Sequence, residues 1–388
     1  MGPPLSVLAL QPYFGGSHAQ FHNGWVANSL NQWTTLELPP RHWKWRMRHA
    51  AIHFVKQIHE MSDRGESWDV ILATDMMNIA ELRGLLRHDL RRLPIVLYFH
   101  ENQFVYPNQW SQERDRHFPF TNFVSALAAD ELWFNSQFNL DSLVHELRGS
   151  TKRWPDFPPS AEIETLIGKS QIQPPGVEAP PFELSAFESA RLRRAKDGEP
   201  IHIVWAARWE HDKDPDSLFE ALQKLQTAGV PFRLSVIGQS FRTIPPVFED
   251  IKTTFKDQIQ RWGYQESRHQ YWEALAEADV FVSTAKHEFF GLSAAEAIAA
   301  GTFPLLPDRL AYPELLSYAL ERHEISNHLY QGDADALAAS IEKIVVWRAN
   351  GSWQINSTAS QTLLSKLDLK IRGEQLDRSL LNLVHSAQ

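Results

Sequence analysis

The sequence predicts an α/β protein of two domains, each built on a parallel β-sheet with helices on both faces. Three observations indicate this class. The chain has 388 residues, two to three times the usual domain size of about 150 residues. Short, uninterrupted apolar runs alternate with longer helical patterns, as expected for strands that are buried on both faces. A proline-rich stretch at 150–200 separates two such series.

The first series begins with a strand at 6–10 that ends in a turn at Gly15-Gly16. The spacing of Ser17 and Gln20 predicts a capping box at the start of the next helix. Further strands are predicted at 68–74 and 94–100. Helices are predicted at 41–60, 77–88, 121–129 and 136–147.

The second series begins with a strand at 201–207, after which Asp214-Pro215 supplies the N-cap and first residue of a helix to about Gln226. Further strands are predicted at 233–238, 279–284 and 302–306, with a helix at 291–300. We therefore place the domains at 1–176 and 177–366, with a hinge near Pro174 to Val177. The amphipathic segment 367–388 is expected to pack back on the first domain.

Composition excludes several classes of protein. The chain has no cysteine, which removes disulfides, thiolate metal sites and cysteine nucleophiles. No apolar run approaches the 18 or so residues that cross a bilayer, and a cytoplasmic protein is expected. The net charge is −9, so a nucleic acid could bind only at a local basic patch.

In open parallel sheets, ligands bind beyond the carboxyl ends of the strands. This rule selects four loops before any motif is considered. They lie at 15–18, 100–103, 208–213 and 287–291. His100 ends one of the predicted strands, where a lone histidine is more often structural than functional, although its place at this edge of the sheet favours function.

The last two of these loops carry most of the charge. Glu288 and Glu296 could accept hydrogen bonds from sugar and ribose hydroxyls, and Gly291 between them would let the backbone approach a ligand. The alternative is that Glu288 only stabilises the start of the helix and that Glu296 lies on a solvated face. Arg208 and Lys213 could hold a diphosphate, or they could simply pair with neighbouring carboxylates.

No metal is expected. Asp212-Lys213-Asp214 has the D-x-D form found at divalent-metal sites, but Asp214 is better explained as the N-cap before Pro215. The 17 histidines include no zinc-type spacing.

The segment 41–49 combines cations with two tryptophans, a pattern typical of contacts with RNA phosphates and unpaired bases. The alternative is an ordinary helix with tryptophans in the core and cations in solvent. The candidate contact residues are Arg41, Trp43, Lys44, Trp45, Arg46 and Arg48.

Together these motifs resemble the retaining, metal-independent glycosyltransferases of family four, which have the GT-B fold of two Rossmann-like domains facing each other across a cleft. The matching pattern is Gly-Gly after the first strand, Arg208-x₄-Lys213, and Glu288-x-Phe290-Gly291-x₄-Glu296. Longer stretches at 15–18, 42–46, 99–103, 208–215 and 283–291 resemble the tRNA-queuosine α-mannosyltransferase branch of that family.

The resemblance implies a role for each motif. Arg208 and Lys213 would neutralise the diphosphate of the donor, GDP-mannose, while Glu288 and Glu296 would hold its sugar and its ribose. His100 would contact the sugar near the reacting carbon. The remaining implied donor residues are Gly15, Gly16, Gly238, Gly263, Tyr264, Phe290, Gly291 and Leu292, with Trp262-Gly263-Tyr264 forming a turn.

The implied acceptor is the cyclopentenediol of queuosine in a tRNA anticodon loop. Besides the 41–49 segment, the implied acceptor residues are Ser17, His18, Asn102 and Gln103. A monomer that needs neither a cofactor nor a membrane is expected. Two alternatives stay open: a glycosyltransferase with a lipid or small glycoside acceptor, for which the basic face at 41–60 could serve a membrane surface, and a non-catalytic protein that binds sugar nucleotides or RNA.

Overall fold

The structure is a computed structural model that describes residues 3–105, 117–151, 156–241, 244–353 and 357–387. The polypeptide divides into two compact units. The first unit comprises Met1–Gly176 and Leu369–Gln388, and the second comprises Val177–Asp368. In the described residues, no helix is both long enough and apolar enough to cross a bilayer.

The first unit is built on a six-stranded parallel sheet with the order β2-β1-β3-β4-β5-β6. The strands are β1 (Ser6–Gln11), β2 (Gln32–Glu37), β3 (Val70–Thr74), β4 (Ile95–Phe99), β5 (Glu131–Phe134) and β6 (Ser170–Ile172). The central strands β3 and β4 are buried at every position. Such strands must be apolar along their whole length, which is why they read as continuous apolar runs in the sequence.

Helices cover both faces of this sheet. They are α1 (Gly16–Ala27), α2 (Trp43–Asp63), α3 (Ile79–Leu85), α4 (His117–Ala128), α5 (Gln137–Thr151), α6 (Ser160–Gly168) and, from the C-terminal segment, α15 (Leu369–Ala387). Helix α15 packs on α1, where the carboxylate of Asp377 accepts a hydrogen bond from the Trp25 indole at 2.8 Å. The C-terminal segment thus completes the first unit.

The second unit contains another six-stranded parallel sheet, with the order β12-β11-β10-β7-β8-β9. The strands are β7 (Ile201–Ala206), β8 (Phe232–Ile237), β9 (Ile259–Gly263), β10 (Val280–Val282), β11 (Phe303–Pro307) and β12 (Leu329–Tyr330). The helices are α7 (Ser185–Lys196), α8 (Pro215–Thr227), α9 (Val247–Thr254), α10 (Arg268–Glu277), α11 (Leu292–Ala299), α12 (Tyr312–Ser317), α13 (Ala334–Asn350) and α14 (Ser357–Leu367).

A buried charge cluster lies at the amino end of β10. The carboxylate of Asp279 is fully buried and pairs with Arg194 at 2.9 Å and Arg348 at 3.2 Å. It also accepts a hydrogen bond from the backbone N–H of His202, the second residue of β7. Arg191, also buried, donates to the carbonyls of Ala276 and Ala278 just before this strand. Because ligands of such sheets bind at the opposite end, we assign this cluster a structural role.

Several sequence-based expectations for single elements are wrong. Gly15 is the N-cap of α1 and no side chain caps this helix, so there is no capping box at Ser17. Trp262 and Gly263 belong to strand β9 instead of a turn. The helix predicted from residue 41 begins at Trp43, after His42 adopts a left-handed conformation with φ 55°.

Candidate functional site

The carboxyl edge of the second sheet gathers the charged loops that the sequence indicated. Arg208 and Lys213 follow β7, and Glu288 lies in the loop between β10 and α11. These strands are neighbours in the sheet, so the loops that follow them meet at one edge. The structure therefore brings Lys213 next to Glu288, which lies 75 residues later in the sequence.

Lys213 is the most tightly held cation at this edge. Its buried ammonium donates to the backbone carbonyl of His287 at 2.7 Å and lies 3.2 Å from the Glu288 carboxylate and 3.3 Å from Asp212. Burial alone would lower the pKa of Lys213, but Glu288 and Asp212 more than offset this and raise it. The ammonium is therefore charged at neutral pH.

Glu288 carries the opposite charge to Lys213. Burial alone would raise its pKa, but the attraction of Lys213 and Arg208 outweighs burial and lowers it, so the group is a carboxylate at neutral pH. The adjacent His287 is neutral, because burial and the charge of Lys213 lower its pKa to about 4.

Arg208 is more exposed than Lys213 and lies among acids. Its guanidinium pairs with Glu210 at 2.8 Å and lies 3.9 Å from Asp212. The sequence left open whether these cations pair with neighbouring carboxylates or bind a diphosphate. Both cations do pair with acids here. An incoming anion would compete with Glu210 for the guanidinium.

Helix α11 starts directly behind this cluster. Gly291 has φ 92°, a conformation that favours glycine, and a Cβ added there would lie 3.0 Å from the Tyr312 ring. The backbone N–H groups at the start of α11 have no intrahelical partner and suit an anion or a sugar oxygen. Phe290 is buried and Leu292 partly buried, so these two residues can offer their amides more readily than their side chains.

Glu296, one turn into α11, is almost completely buried and has both carboxylate oxygens occupied by side chains of α10. Arg268 donates to one oxygen, and the Tyr271 hydroxyl donates to the other at 2.6 Å. Arg268 also bonds Glu178 at 2.8 Å. Sequence reasoning missed Arg268 and Tyr271 because nothing in the residues after β9 marks them as partners of a glutamate 25 or more positions away.

The other predicted donor residues of the second unit lie at the same edge. Gly238 follows β8, and a Cβ there would lie 1.7 Å from the carbonyl oxygen of Ala207, so the position has no room for a side chain. Gly263 ends β9, and its carbonyl accepts a hydrogen bond from the Gly238 N–H at 3.1 Å. Tyr264 is 72% exposed and presents an aromatic face next to them.

Asp212 and Asp214 are both engaged by basic groups. Asp212 lies beside Lys213 and Arg208, while Asp214 pairs with Lys286 at 2.8 Å and accepts from the Ser217 hydroxyl. Asp214 does occupy the N-cap position of α8, although its side chain caps no backbone N–H. In the described part of the chain, no group of three histidine or acidic side chains is arranged to hold a metal ion.

The first sheet has its own cluster at the carboxyl edge, built around His100. The rings of His100 and His18 lie 4.0 Å apart, and the backbone N–H of His100 donates to the Asp75 carboxylate at 3.0 Å. Burial, and to a lesser extent His18, lowers the pKa of His100 well below its usual value, so the ring is neutral. No group among the described residues hydrogen-bonds its buried Nε2 atom. Asp75 was not foreseen from the sequence.

Other predicted residues of the first unit divide into exposed and structural ones. Gly16 and Ser17 are exposed at the start of α1, and Gly15 packs closely on Pro40. Asn102 is fully buried and bonds Asn139 and Ser142, while Gln103 is buried and its backbone N–H bonds Asn122. Asn102 therefore has internal hydrogen-bond partners, and its contact with an acceptor stays a prediction.

The tryptophan- and arginine-rich start of α2 also contains both buried and exposed side chains. Arg46 is buried and donates to the Pro39 carbonyl, and Trp43 packs against Phe118 with ring centres 5.1 Å apart. Arg46 therefore does not belong to the exposed face of the helix, whereas Trp43 is partly buried. Arg41, Lys44, Trp45 and Arg48 are exposed.

His22 gives a prediction for acid stability of the first unit. Its ring lies between Gln11 and Thr35, and burial lowers its pKa to about 4. The unfolded chain binds a proton on this ring below about pH 6.5, whereas the folded chain does not. The free energy of unfolding should therefore fall by about 2 kcal/mol between pH 7 and pH 5 through this residue alone.

Urea unfolding of the wild type and of His22→Gln at both pH values measures this contribution. The variant should lose less stability than the wild type on acidification. An equal loss in the two proteins would show that His22 does not cause it.

Comparisons with known proteins identify the families that the chain resembles. Residues 6–177 match the family described as tRNA-queuosine alpha-mannosyltransferase N-terminal, and residues 187–346 match the glycosyl transferases group 1 family. A tRNA-queuosine alpha-mannosyltransferase of Drosophila melanogaster is 35% identical over 313 residues, which are 80% of this chain and 81% of that protein. A GDP-mannose:cellobiosyl-diphosphopolyprenol alpha-mannosyltransferase of Xanthomonas campestris is 23% identical over 178 residues, 45% of each protein.

Solved structures confirm the fold. Sucrose-phosphate synthase from Thermosynechococcus elongatus has a TM-score of 0.67 and 15% identity, with 98% of this chain and 100% of that chain covered. Anabaena HepE in complex with UDP and glucose has a TM-score of 0.65 and 14% identity, with 97% and 99% covered. The predicted GT-B fold is thus correct, and the chain is a glycosyltransferase. Because 80% of this chain matches the Drosophila protein at 35% identity, the chain belongs to the tRNA-queuosine alpha-mannosyltransferase family.

Proposed function

We propose that the chain transfers mannose from GDP-mannose to the cyclopentenediol of queuosine in tRNA, with retention of the anomeric configuration. The observation that carries this proposal is the 35% identity, over four-fifths of both chains, to a relative named for that acceptor. The donor is supported by the Xanthomonas relative, whose name specifies GDP-mannose. The cluster of Arg208, Lys213 and Glu288 supplies the chemistry of a nucleotide-sugar site.

The donor diphosphate is proposed to bind at Arg208 and Lys213. An exposed guanidinium can contact two phosphate oxygens at once, and a buried ammonium acts as a fixed positive charge. We expect no metal ion, because these two cations can themselves neutralise the charge that develops on the leaving phosphate. Lys213 is already held in place by three oxygens, so it need not reorganise during the reaction.

In the proposed reaction the bond between the anomeric carbon and the phosphate oxygen breaks, and its electron pair leaves with GDP. The acceptor hydroxyl oxygen bonds to the anomeric carbon on the same face. Its proton passes to the departing phosphate. The carboxylate of Glu288 and the amides at the start of α11 are proposed to hold the sugar hydroxyls while this exchange occurs.

Glu296 is proposed to accept from the ribose diol of the donor, oriented by Tyr271. Replacing Tyr271 with phenylalanine removes the 2.6 Å hydrogen bond and leaves the ring in place. We expect the KM for GDP-mannose to rise about fivefold with little change in kcat, because a hydrogen bond to a charged group contributes about 1 kcal/mol or more to positioning.

Calorimetry with GDP and 2′-deoxy-GDP separates positioning from a general structural effect. The Tyr271→Phe variant should bind GDP more weakly than the wild type but should bind 2′-deoxy-GDP almost as well as the wild type does. Equal losses for both ligands would contradict a role at the ribose.

The proposed activity is tested by incubating the purified chain with GDP-mannose and queuosine-containing tRNA, digesting the tRNA and measuring nucleoside masses. Queuosine should gain one hexosyl group, while tRNA with guanosine at that position should gain none. UDP-glucose serves as the control donor. If donor is hydrolysed and both tRNAs stay unmodified, another acceptor such as a lipid or small glycoside must be sought; GDP binding without turnover would indicate a binding protein.

A further inference from the structure

Helix α2 carries an unusual concentration of positive charge. Between Glu37 and Glu60 the sequence has no acidic residue, although acids outnumber fixed cations by 47 to 38 in the whole chain. The fixed cations in this interval are Arg41, Lys44, Arg46, Arg48 and Lys56. The region is therefore a local basic segment in an acidic protein, which is the form a nucleic-acid site must take here.

The structure places most of these cations on one side of the helix. Lys44, Arg48 and Lys56 are exposed, whereas Phe54 and Ile58 are buried in the core of the first unit. Positions 44, 48, 52 and 56 are spaced by four residues and so form one stripe along the helix. We call the exposed residues Lys44, Trp45, Arg48, Ile52, His53 and Lys56, together with the partly buried His49, the α2 face.

Aromatic rings hold the first cations of this face. The guanidinium of Arg48 lies 5.1 Å from the centre of the Phe118 ring, and the Lys44 ammonium lies 5.6 Å from Trp43 and 5.9 Å from Phe118. Among the described residues, neither Lys44 nor Arg48 forms an ion pair with a carboxylate. Their charge is thus available to a phosphate at little cost in broken contacts.

Trp45 provides an aromatic surface on the same helix as the two cations. Its indole stacks on the His49 ring with centres 5.0 Å apart and an interplanar angle of 18°. The residue is nevertheless 59% exposed, so the histidine supports the indole without covering it. A base of single-stranded RNA can stack on such a surface, and adjacent cations can reach its flanking phosphates.

A membrane surface fits this face less well. Helices that lie on membranes bury a broad apolar side among lipid chains. The apolar side of α2 is already packed in the protein core, and the exposed side has Ile52 as its one aliphatic residue. The charge and the aromatic surface both suit RNA.

We propose that the α2 face binds an unpaired stretch of RNA. One base of this stretch stacks on Trp45, and Lys44, Arg48 and Lys56 bind phosphates of the RNA backbone. The proposal rests on the proposed function, since it names the surface that would hold the loop of the tRNA acceptor. It also changes the residues expected from the sequence: Arg46 is buried and leaves the site, and Lys56, whose ammonium lies 4.0 Å from Glu60, joins it.

The test measures binding of an anticodon stem-loop RNA, and of a duplex of the same stem, at several salt concentrations. Lys44→Gln/Arg48→Gln should weaken stem-loop binding at least tenfold. It should also reduce the slope of log affinity against log salt by about 1.4, since each phosphate contact on a single strand contributes about 0.7. Trp45→Ala should weaken binding of the stem-loop about tenfold and leave binding of the duplex nearly unchanged.

Arg91→Gln/Arg92→Gln is the matched control, because these two cations are exposed on a short turn of the same unit. It should change neither affinity nor salt slope. Stem-loop binding at the wild-type level in both α2 variants would overturn the proposal. The proposal would also fail if the two variants bound RNA normally but no longer bound anionic phospholipid vesicles. GDP affinity, measured in parallel, distinguishes the two ideas: failure of the wild type to bind GDP contradicts the proposed function, not the RNA surface.

Discussion

Replacing Lys213 with methionine is expected to reduce turnover of GDP-mannose by about 100- to 1,000-fold, the usual effect of removing one preorganised group that stabilises developing negative charge. The ammonium lies 3.2 Å from Glu288 and 2.7 Å from the His287 carbonyl, so its position is fixed by the fold. Single-turnover kinetics measures the loss directly. Wild-type turnover in this variant would contradict the proposed diphosphate site.

The same substitution has a second consequence, which needs its own control. Removing the cation leaves the partly buried carboxylates of Glu288 and Asp212 without their main partner, so the loss of stability should be smaller than the about 3–5 kcal/mol that breaking a fully buried pair costs. The double variant Lys213→Met/Glu288→Gln also removes the negative charge of Glu288 and leaves that of Asp212. This double variant should regain part of the lost stability but none of the lost turnover. If turnover returned with stability, the role of Lys213 would be structural.

Replacing Asp279 with asparagine should produce the largest loss of stability, about 3–5 kcal/mol in the unfolding of the second unit. The substitution removes the negative charge that Arg194 and Arg348 share in a fully buried position. Urea unfolding measures the change. GDP affinity should be unchanged below the unfolding transition, because Asp279 lies at the amino end of its strand, away from the charged loops.

Asp335→Asn is the matched control for this prediction. Asp335 also pairs with a basic side chain, Lys224 at 2.7 Å, but the carboxylate is 82% exposed. Exposed ion pairs contribute little to stability, so the unfolding midpoint should hardly move. Similar midpoints for the two variants would show that the buried cluster contributes no more than a surface pair.

The sequence correctly predicted most of the buried central strands and the loops that follow them. Strands β3, β4 and β7 are buried at every position, so their apolar runs were unambiguous. Strands β2, β6 and β9 were missed because they lie at sheet edges and are only partly buried. Strand β5 was missed although three of its four residues are buried, because so short an apolar run between two helices forms no clear pattern. Strand β12 has two residues, too few to form a pattern.

The candidate site was predictable only as far as local spacing allowed. The loop that holds Glu288 and the helix that holds Glu296 lie where the sequence placed them. The side chains that orient Glu296 could not be foreseen, because Arg268 and Tyr271 reach it from another helix. The sequence also did not indicate that Arg46 is buried. Its neighbours Trp45 and Arg48 on the same helix are exposed, and the local pattern does not distinguish the three residues.

The central claim is that Arg208 and Lys213 hold the diphosphate of the donor. Calorimetric titration of GDP and of guanosine into the wild type and into Arg208→Gln/Lys213→Met tests it most directly. We expect the wild type to bind GDP at least 100-fold more tightly than guanosine, and the variant to lose most of that difference. Equal binding of the two ligands by the wild type, or undiminished GDP affinity in a folded variant, would contradict the account.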